Sequence, residues 1–242
     1  MENTYAEIAE QKVGALKTGV PFIYATDRKE VWSVFQQKAK ELTAPTYELG
    51  SEFWFTEKET TFSVSIGQLY CLEKLSLSMP GYHQKANASL AVMTVMLLQK
   101  DFPTCNTQTI RKGLQNGKWI GRTEWIRPRL MIDGAHNQES VSALATILRE
   151  NYADKKIHIL FAAIAGKPVN TMLETLDQFD SLTVTTFSYS NSLKFEAYPC
   201  QYARVASWQE WLHQIDNESS DAIWILIGSL YFISEVRQQL LG

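Results

Sequence analysis

The sequence predicts an α/β protein in two parts, the second of which is a doubly wound parallel sheet. From Arg129 onward, short continuous apolar runs alternate with amphipathic segments, as parallel strands covered by helices on both faces do. Between 47 and 79, apolar and polar residues alternate one by one, which is typical of half-buried antiparallel hairpins. The chain has 242 residues, 45% of them hydrophobic, which suffices for one large domain or two modest ones.

In the first part, one strand and one helix precede the hairpins. "GVPFIYAT" at 19–26 is an apolar run, and the helix-like "DRKEVWSVFQQKAKEL" follows it at 27–42, which predicts a strand–helix unit. After the hairpins, 80–102 is predicted to be a loop that runs into a long helix. The segment 116–128 contains two glycines and a proline, and this composition indicates a linker between the two parts.

The second part alternates strands and helices in a regular order. Continuous apolar strands that are separated by helices predict a parallel sheet with helices on both faces. The predicted strands are 129–133, 156–164, 181–187 and 222–228, and the predicted helices are 138–151, 168–178, 207–215 and 229–241.

Charge and cysteine content argue against several classes of protein. A net charge of −3 and a pI near 5.9 provide no basic surface for DNA or RNA, so no nucleic-acid partner is expected. The three cysteines (Cys71, Cys105 and Cys200) form no CxxC pair, which indicates neither a zinc site nor a disulfide framework. The first residues are polar and acidic, unlike a signal peptide, and the apolar run at 222–228 is too short to span a bilayer. We therefore expect a cytoplasmic protein without a membrane partner.

The turn "DGAHN" follows the first predicted strand of the second part, at the strand end where open α/β sheets bind ligands. Asp133, His136 and Asn137 offer a carboxylate, an imidazole and an amide, and Gly134 allows a sharp turn. The helix that follows offers N–H groups to an anion. Alternatively, Asp133 or Asn137 only caps this helix, which begins near Gln138. These residues support both interpretations equally.

Two further places carry polar side chains that have an ordinary structural explanation. Asn87 lies one turn after His83 at a predicted helix start, and an exposed polar helix start with nothing bound is the simpler interpretation. Arg122 and Glu124 lie in the predicted linker between two tryptophans, where a weak surface ion pair is the simpler interpretation. Lys12, in the helix-like "IAEQKVGALK", would by itself be a solvated lysine.

Gly228 and Ser229 mark a second strand-to-helix turn, in "IGSLYFISEV". They predict either another anion loop or simple capping of the last helix by Ser229, and both are equally supported. The sequence contains no G-x-x-x-x-G-K-[ST] phosphate loop, no G-x-S-x-G elbow and no H-E-x-x-H helix.

Together, five ordered segments resemble the folylpolyglutamate synthase and dihydrofolate synthase family, a branch of the Mur ligases. They are "EIAEQKVGALKTGVP", "MPGYHQKANASLA", "WIGRTEW", "LMIDGAHNQES" and "IGSLYFISEVR". Such ligases have a P-loop ATPase domain, a linker and a C-terminal Rossmann-like domain. The resemblance implies that 1–122 is the last part of the central ATPase domain, an α/β region with antiparallel hairpins, and that 123–242 is the C-terminal domain. We expect the segment with the phosphate loop to be absent from this chain, which would then be a C-terminal portion.

The resemblance also implies ATP-dependent addition of L-glutamate to folate or dihydropteroate, through an acyl phosphate. In that frame Asn87 would hydrogen-bond the adenine, and Arg122 would clamp the phosphates with its planar guanidinium. Asp133 would contact the ribose or orient the phosphates, and His136 would lie close to the γ-phosphate. Arg122 and His136, with Lys12, are the expected catalytic residues.

The resemblance assigns the remaining candidates to metal and substrate. Lys12 matches the lysine that these ligases carry as a carbamate, and the resulting anion would help to hold Mg²⁺. Gly228 and Ser229 would line the cleft between the two domains, close to the glutamate or the phosphates. A monomer that binds ATP, Mg²⁺, a folate and glutamate is therefore expected.

Some residues depart from the family pattern and leave other functions open. Lys167 lacks the acidic neighbours that are typical of its segment, Val13 replaces the usual alanine, and 187–199 lacks an expected arginine. We expect the chain alone to be inactive as a ligase. The alternatives are a non-catalytic module that binds nucleotide or folate and, on weaker grounds, a peptidoglycan-type Mur ligase.

Overall fold

The computed structural model describes residues 4–215 and 221–242, which form two compact units. Unit 1 contains the described residues up to Ser78 together with Tyr82–Gly117, and unit 2 contains Met79–Gly81 and the described residues of Lys118–Gly242. The predicted fold class, mixed α/β with an antiparallel region followed by a doubly wound sheet, is confirmed. Within the described ranges, no helix is both long enough and apolar enough to cross a membrane.

Unit 1 begins with a capped helix and contains two small sheets. Thr4 and Glu7 form a reciprocal capping box at the first helix, with the Thr4 hydroxyl accepting from the Glu7 N–H and the Glu7 carboxylate accepting from the Thr4 N–H. The elements in order are α1 (Tyr5–Val13), β1 (Phe22–Tyr24), α2 (Lys29–Glu41), β2 (Thr46–Glu48), β3 (Phe53–Lys58), β4 (Thr61–Ile66), β5 (Tyr70–Leu75), α3 (Tyr82–Leu98) and α4 (Thr107–Asn116).

The antiparallel sheet of unit 1 has the alternation that the sequence predicts. Strands β3, β4 and β5 pair antiparallel in that order, and Phe62 and Val64 of β4 are buried against α3. Strands β1 and β2 form a separate parallel pair. One side of the three-stranded sheet therefore faces the core of unit 1, as a half-buried sheet should.

Unit 2 is built on one six-stranded sheet. Its strand order is β10-β9-β8-β11-β7-β6, and all neighbours are parallel except β6 and β7. Buried clusters cover both faces of this sheet, which explains the continuous apolar strands. The elements in order are β6 (Glu124–Arg127), β7 (Leu130–Asp133), α5 (Gln138–Asn151), β8 (Lys156–Ala162), α6 (Val169–Leu176), β9 (Ser181–Val184), a short 3₁₀ helix (Phe195–Ala197), β10 (Ala203–Arg204), α7 (Trp208–Leu212), β11 (Ala222–Gly228) and α8 (Leu230–Leu241).

Two elements of the structure were not predicted from the sequence. The predicted linker at 116–128 contains an edge strand, because Glu124–Arg127 pairs antiparallel with β7 through a tight turn at Arg129, whose φ is 70°. Helix α4 (Thr107–Asn116) was not predicted, although Asn106 caps it by accepting from the N–H groups of Gln108 and Thr109.

Candidate functional site

A pocket opens in unit 2 at the carboxyl ends of β8 and β11, the place where open α/β sheets bind ligands. Its volume is about 180 Å³. Apolar side chains form much of the wall, and the polar groups come from the starts of two helices and from one lysine. The lining residues are His136, Phe161, Ala163, Ile164, Lys167, Met172, Gly228, Ser229, Leu230 and Tyr231. Three predicted site residues (His136, Gly228 and Ser229) therefore share one pocket.

In the turn after β7, the two candidate helix caps, Asp133 and Asn137, have different roles. Asn137 caps α5, because its side chain accepts from the Ser140 N–H at 2.8 Å. Asp133 does not cap this helix. One oxygen of its carboxylate accepts from Ala135 N at 2.8 Å and the other from Thr123 N at 2.7 Å. Asp133 thereby joins the turn after β7 to the segment that carries Arg122.

The carboxyl group of Asp133 is almost completely buried, with 4% of the residue exposed. Burial raises its pKa above the ordinary value of 3.8, and the two N–H bonds and the positive charge of nearby Arg122 oppose this shift. His136, three residues further along the chain, opposes the shift of the Asp133 pKa as well. Asp133, Arg122 and His136 therefore form one electrostatic cluster.

His136 presents one ring nitrogen to the backbone and is half-buried. Its Nδ1 lies 2.7 Å from the carbonyl oxygen of Gly134, and a carbonyl only accepts, so Nδ1 carries the hydrogen. The other nitrogen, Nε2, is then the one that can accept a hydrogen bond when the ring is neutral and donate one when it is protonated. This arrangement fixes the ring and leaves Nε2 for chemistry.

Arg122 lies in a tightly bent segment between β6 and the preceding turn. The residues on either side of it, Gly121 and Thr123, have φ values of 73° and 40°. The predicted alternative, an ion pair between Arg122 and Glu124, was wrong: Glu124 instead pairs with Arg237, at 3.0 Å. Trp119 is 70% exposed, so it does not shield the segment from water.

Gly228 has a structural reason to be glycine. Its φ is 132°, and a Cβ at this position would lie 1.9 Å from the carbonyl oxygen of Ala162. The Ser229 N–H donates to that same oxygen at 2.8 Å, and Ser229 Oγ accepts from Tyr231 N at 3.3 Å as the cap of α8. Ser229 therefore caps α8, and it also lines the pocket.

Gly134 has a different reason to be glycine from the one that the sequence suggested. It is not among the residues with positive φ, so the turn does not need its conformational freedom. A Cβ here would instead lie 2.3 Å from Leu230 Cδ2 and 3.3 Å from the carbonyl oxygen of Gly121. The missing side chain lets the turn after β7 approach α8 and the Arg122 segment.

Lys12 and Asn87 belong to unit 1. Lys12 is in the last turn of α1 with an exposed side chain, and Asn87 is exposed on α3, with its Nδ2 donating to Gln84 Oε1 at 3.4 Å. Across 4–215 and 221–242, no group of three or more His, Cys, Asp or Glu residues could hold a metal ion. The metal-binding role of Lys12 and the adenine-binding role of Asn87 stay predictions.

Sequence reasoning missed two residues that shape the pocket. Tyr231 lines it and stacks on Tyr189, with ring centroids 4.2 Å apart and planes at 12°. Tyr198 holds the end of β8 from behind, because its hydroxyl accepts from Ala163 N at 2.9 Å, and burial raises its pKa to about 12. The position of Tyr231 two residues after a candidate cap was a usable signal, whereas nothing local distinguished Tyr198.

Comparisons with known proteins match this chain to folate enzymes. Residues 122–193 match the family model described as "Dihydrofolate synthetase, C-terminal domain". The dihydrofolate synthase/folylpolyglutamate synthase of Bacillus subtilis (strain 168) is 29% identical, with 98% of this chain covered and 59% of the relative. The folylpolyglutamate synthase of Lacticaseibacillus casei is 27% identical, with 99% and 58% covered.

Solved structures lead to the same group of proteins. A folylpolyglutamate synthase (FPGS) in complex with AMPPCP and folate has a TM-score of 0.83 and 26% identity, with 99% of this chain covered and 57% of that chain. The apo form of L. casei FPGS has a TM-score of 0.80 and 25% identity, with 99% and 57% covered. The chain thus spans 58–59% of the length of the two curated relatives named above.

Proposed function

Because the chain is related over nearly its whole length to folylpolyglutamate and dihydrofolate synthases, as the five sequence segments predicted, we propose that it supplies part of an ATP-dependent ligase. The ligase would add L-glutamate to a folate. The observation that supports the proposal is that His136, Gly228 and Ser229 line one pocket at the ligand-binding end of the unit 2 sheet, and that Asp133 in the same turn accepts from Thr123 N, next to Arg122.

The reaction needs an activated carboxylate, because a free carboxylate would have to expel an oxide. ATP supplies the γ-phosphoryl group that turns the folate carboxylate into an acyl phosphate. ADP leaves in this first step with the electrons of the broken P–O bond. The neutral amino group of glutamate then attacks the acyl carbon and gives up a proton to solvent, an amide bond forms, and phosphate leaves with the electron pair of the broken C–O bond. Catalysis of phosphoryl transfer is mostly positioning and neutralisation of charge, which cationic side chains at a strand end can provide.

Residues of unit 2 offer hydrogen-bond donors that suit a phosphate group. The guanidinium of Arg122 can donate two parallel hydrogen bonds to phosphate oxygens, and His136 Nε2 can donate to a third oxygen when its ring is protonated. Asp133 is only 4% exposed, and each of its oxygens already accepts from a backbone N–H group. We therefore propose that Asp133 orients the phosphates through Arg122, rather than through a ligand contact of its own.

The remaining predictions become parts of the same proposal. Ser229 and the start of α8 would bind the glutamate or the phosphates from the pocket, since a helix start attracts anions. Asn87 would bind the adenine. Lys12 as a carbamate would contribute to a Mg²⁺ site, and the described residues supply no cluster of carboxylates that could replace it.

A second candidate function is a module that binds nucleotide without catalysis. The sequence has no phosphate loop, and Lys167, which lines the pocket, has no acidic residue within two positions in the sequence. Both features are compatible with binding that is not followed by phosphoryl transfer. The two functions are distinguished by whether the chain takes part in glutamate addition once the missing part of the ligase is supplied as a second polypeptide.

Titration calorimetry of the purified chain with AMPPCP, an ATP analogue that cannot transfer its γ-phosphoryl group, tests the proposal. We expect binding, and we expect Arg122→Ala to weaken it by about 2 kcal/mol, or ~30-fold, as loss of a charged hydrogen-bonding group does. Arg149→Ala is the matched control, because Arg149 lies on α5 and donates to Gln178 at 2.5 Å. Equal affinity of Arg122→Ala and Arg149→Ala would remove Arg122 from the site.

Activity of the chain separates ligase from binding module. Alone, it is expected to show no ATP-dependent addition of glutamate, and turnover by the chain alone would contradict the proposed need for a phosphate loop. The ligase proposal expects amide formation when the chain is mixed with the separately expressed part of the B. subtilis relative that lies outside the matched 59%. Binding without turnover in that mixture would favour the module.

A further inference from the structure

The segment that carries Arg122 is bent into an unfavourable backbone conformation. Thr123 has φ 40°, and a β-branched residue in the left-handed region is a genuine outlier that costs free energy. Gly121, on the other side of Arg122, has φ 73°. Such a conformation persists only where surrounding contacts hold it.

Four hydrogen bonds hold this bend, and two of them end on carboxylates. One of the other two runs from Arg122 N to the carbonyl oxygen of Trp119, at 3.1 Å. Glu124 Oε2 accepts from Gly121 N at 2.7 Å, and Asp133 Oδ2 accepts from Thr123 N at 2.7 Å. The Gly121 carbonyl oxygen accepts from Gly134 N, also at 2.7 Å. Hydrogen bonds to a charged acceptor are about twice as strong as neutral ones, so the carboxylates are the main restraints.

Glu124 is itself held by Arg237 of α8. Arg237 Nε donates to both oxygens of Glu124, at 3.0 and 3.2 Å. The two side chains are only 21% and 33% exposed, for Glu124 and Arg237 respectively, so water screens this pair less than a surface pair. The helix that fixes Glu124 is the one whose first turn lines the pocket.

We propose that Glu124 and Arg237 are positioning residues that hold Arg122 in its bent segment and set its place relative to the start of α8. The structural restraint stands on the contacts alone, whereas its effect on ligand affinity rests on the proposed function. The simpler explanation is an ion pair that contributes only a little to folding, as many exposed pairs do. Only the first explanation requires that a change at Glu124 or Arg237 alters ligand affinity by displacing Arg122.

Amide hydrogen exchange, followed by NMR, tests the restraint without any ligand. In Glu124→Ala, the N–H of Gly121 should exchange at least 10-fold faster than in the wild type, while the amides of β7 stay protected. Glu41→Ala is the matched control, because it removes a 3.0 Å ion pair with Lys38 on α2 and should leave Gly121 unchanged. Unchanged exchange of Gly121 in Glu124→Ala would overturn the proposal.

Calorimetry with AMPPCP tests whether the effect passes through Arg122. Glu124→Ala and Arg122→Ala should each weaken binding about 30-fold, and the double variant should be no weaker than either alone, because a misplaced arginine and a missing one are equivalent. Arg237→Lys, which keeps a cation beside Glu124, should retain more affinity than Arg237→Gln. The positioning role would be overturned if the fold-loss of affinity in the double variant were the product of the two single losses, since independent effects add as free energies.

The outcomes also separate this inference from the proposed function. A wild-type chain that binds no AMPPCP would contradict the nucleotide site, and the exchange of Gly121 would still decide whether Glu124 restrains the segment. Binding that is lost in Arg122→Ala but kept in Glu124→Ala would leave the nucleotide site standing and overturn the positioning role.

Discussion

At the scale of single residues, Asp133 combines a buried carboxyl group with two backbone hydrogen bonds. Burial raises its pKa above 3.8, so the folded protein holds this proton to a higher pH than the unfolded chain does. Proton binding by Asp133 therefore stabilises the folded protein. This stabilisation is fully present below about pH 4 and is lost as the pH rises through the pKa that Asp133 has in the folded protein. Carboxyl ¹³C shifts, recorded by NMR as a function of pH, measure that pKa directly.

The same titration reports on the neighbour of Asp133. The positive charge of Arg122 lowers the pKa of Asp133, so Arg122→Gln is expected to raise it further. Lys38→Gln is the control, since it removes a cation from α2 of unit 1. A pKa of Asp133 that is the same in Arg122→Gln as in the wild type would show that the guanidinium does not act on the carboxyl in solution.

Gly228 illustrates how a residue that looks like a ligand contact can have a packing role. A Cβ would collide with the backbone of Ala162 and would also meet an unfavourable φ. Gly228→Ala should therefore lower the free energy of unfolding by at least about 3 kcal/mol. Gly166→Ala, with φ 81° but open space around the added Cβ, should cost only about 1–2 kcal/mol.

Urea unfolding of the two variants measures the difference. If Gly228→Ala and Gly166→Ala lose the same stability, the close approach to Ala162 is not what requires glycine at 228. A role of Gly228 in binding glutamate or phosphate would then be the better explanation of this position.

At the scale of elements, the start of α8 serves both the helix and the pocket. Ser229 caps it, as Ser207 caps α7 by accepting from Gln209 N at 3.2 Å. Ser229→Ala and Ser207→Ala should each lower the free energy of unfolding by about 1 kcal/mol. Ser229→Asp keeps a capping oxygen, but it places a charge at a position that is only 4% exposed, so it should lower the stability too. Its charge should also weaken AMPPCP binding by repelling phosphate, which Ser229→Ala would not do.

Calorimetry and urea unfolding of these three variants separate capping from binding. The Ser207 variant should bind AMPPCP like the wild type, because Ser207 does not line the pocket. If Ser229→Asp binds AMPPCP as well as the wild type does, Ser229 is only a cap.

The elements that the sequence predicts well are those with a strong burial pattern. Strand β11 is buried at every position and α5 buries one face, and both were predicted with their full bounds. Helix α4 was not predicted because Ile110 is the one buried residue that it contributes. Strand β6 was not predicted because the sequence of an edge strand between a glycine and a proline resembles that of a loop. The site residues at strand ends were predictable by position, whereas Tyr198 acts across 35 residues of sequence and required the fold.

At the scale of the whole molecule, the two units differ in how much core they have. The sheet of unit 2 buries apolar clusters on both faces, whereas the cluster described in unit 1 covers one face of a three-stranded sheet. Because burial of apolar surface is the main favourable contribution to folding, unit 1 should unfold at a lower urea concentration than unit 2. Local stabilities of this kind need not be uniform along a chain.

Two optical signals can follow the units separately. The buried tryptophans Trp208, Trp211 and Trp224 lie in unit 2, whereas Trp32 and Trp54 of unit 1 are 41% and 39% exposed. The shift in tryptophan emission therefore reports mainly on unit 2, and far-ultraviolet ellipticity reports on both units. We expect ellipticity to begin to fall before the emission shifts.

Core variants assign each transition to its unit. Val64→Ala in β4 should move the early loss of ellipticity to lower urea and leave the emission transition in place, whereas Leu160→Ala in β8 should move the emission transition. Each change should cost about 2–4 kcal/mol in its own unit, as truncation of a fully buried aliphatic side chain does. Coincident transitions in the wild type, or a shift of both transitions by Val64→Ala, would show that the units unfold as one cooperative body. The proposed nucleotide site would then depend on the core of unit 1 as well as on its own sheet.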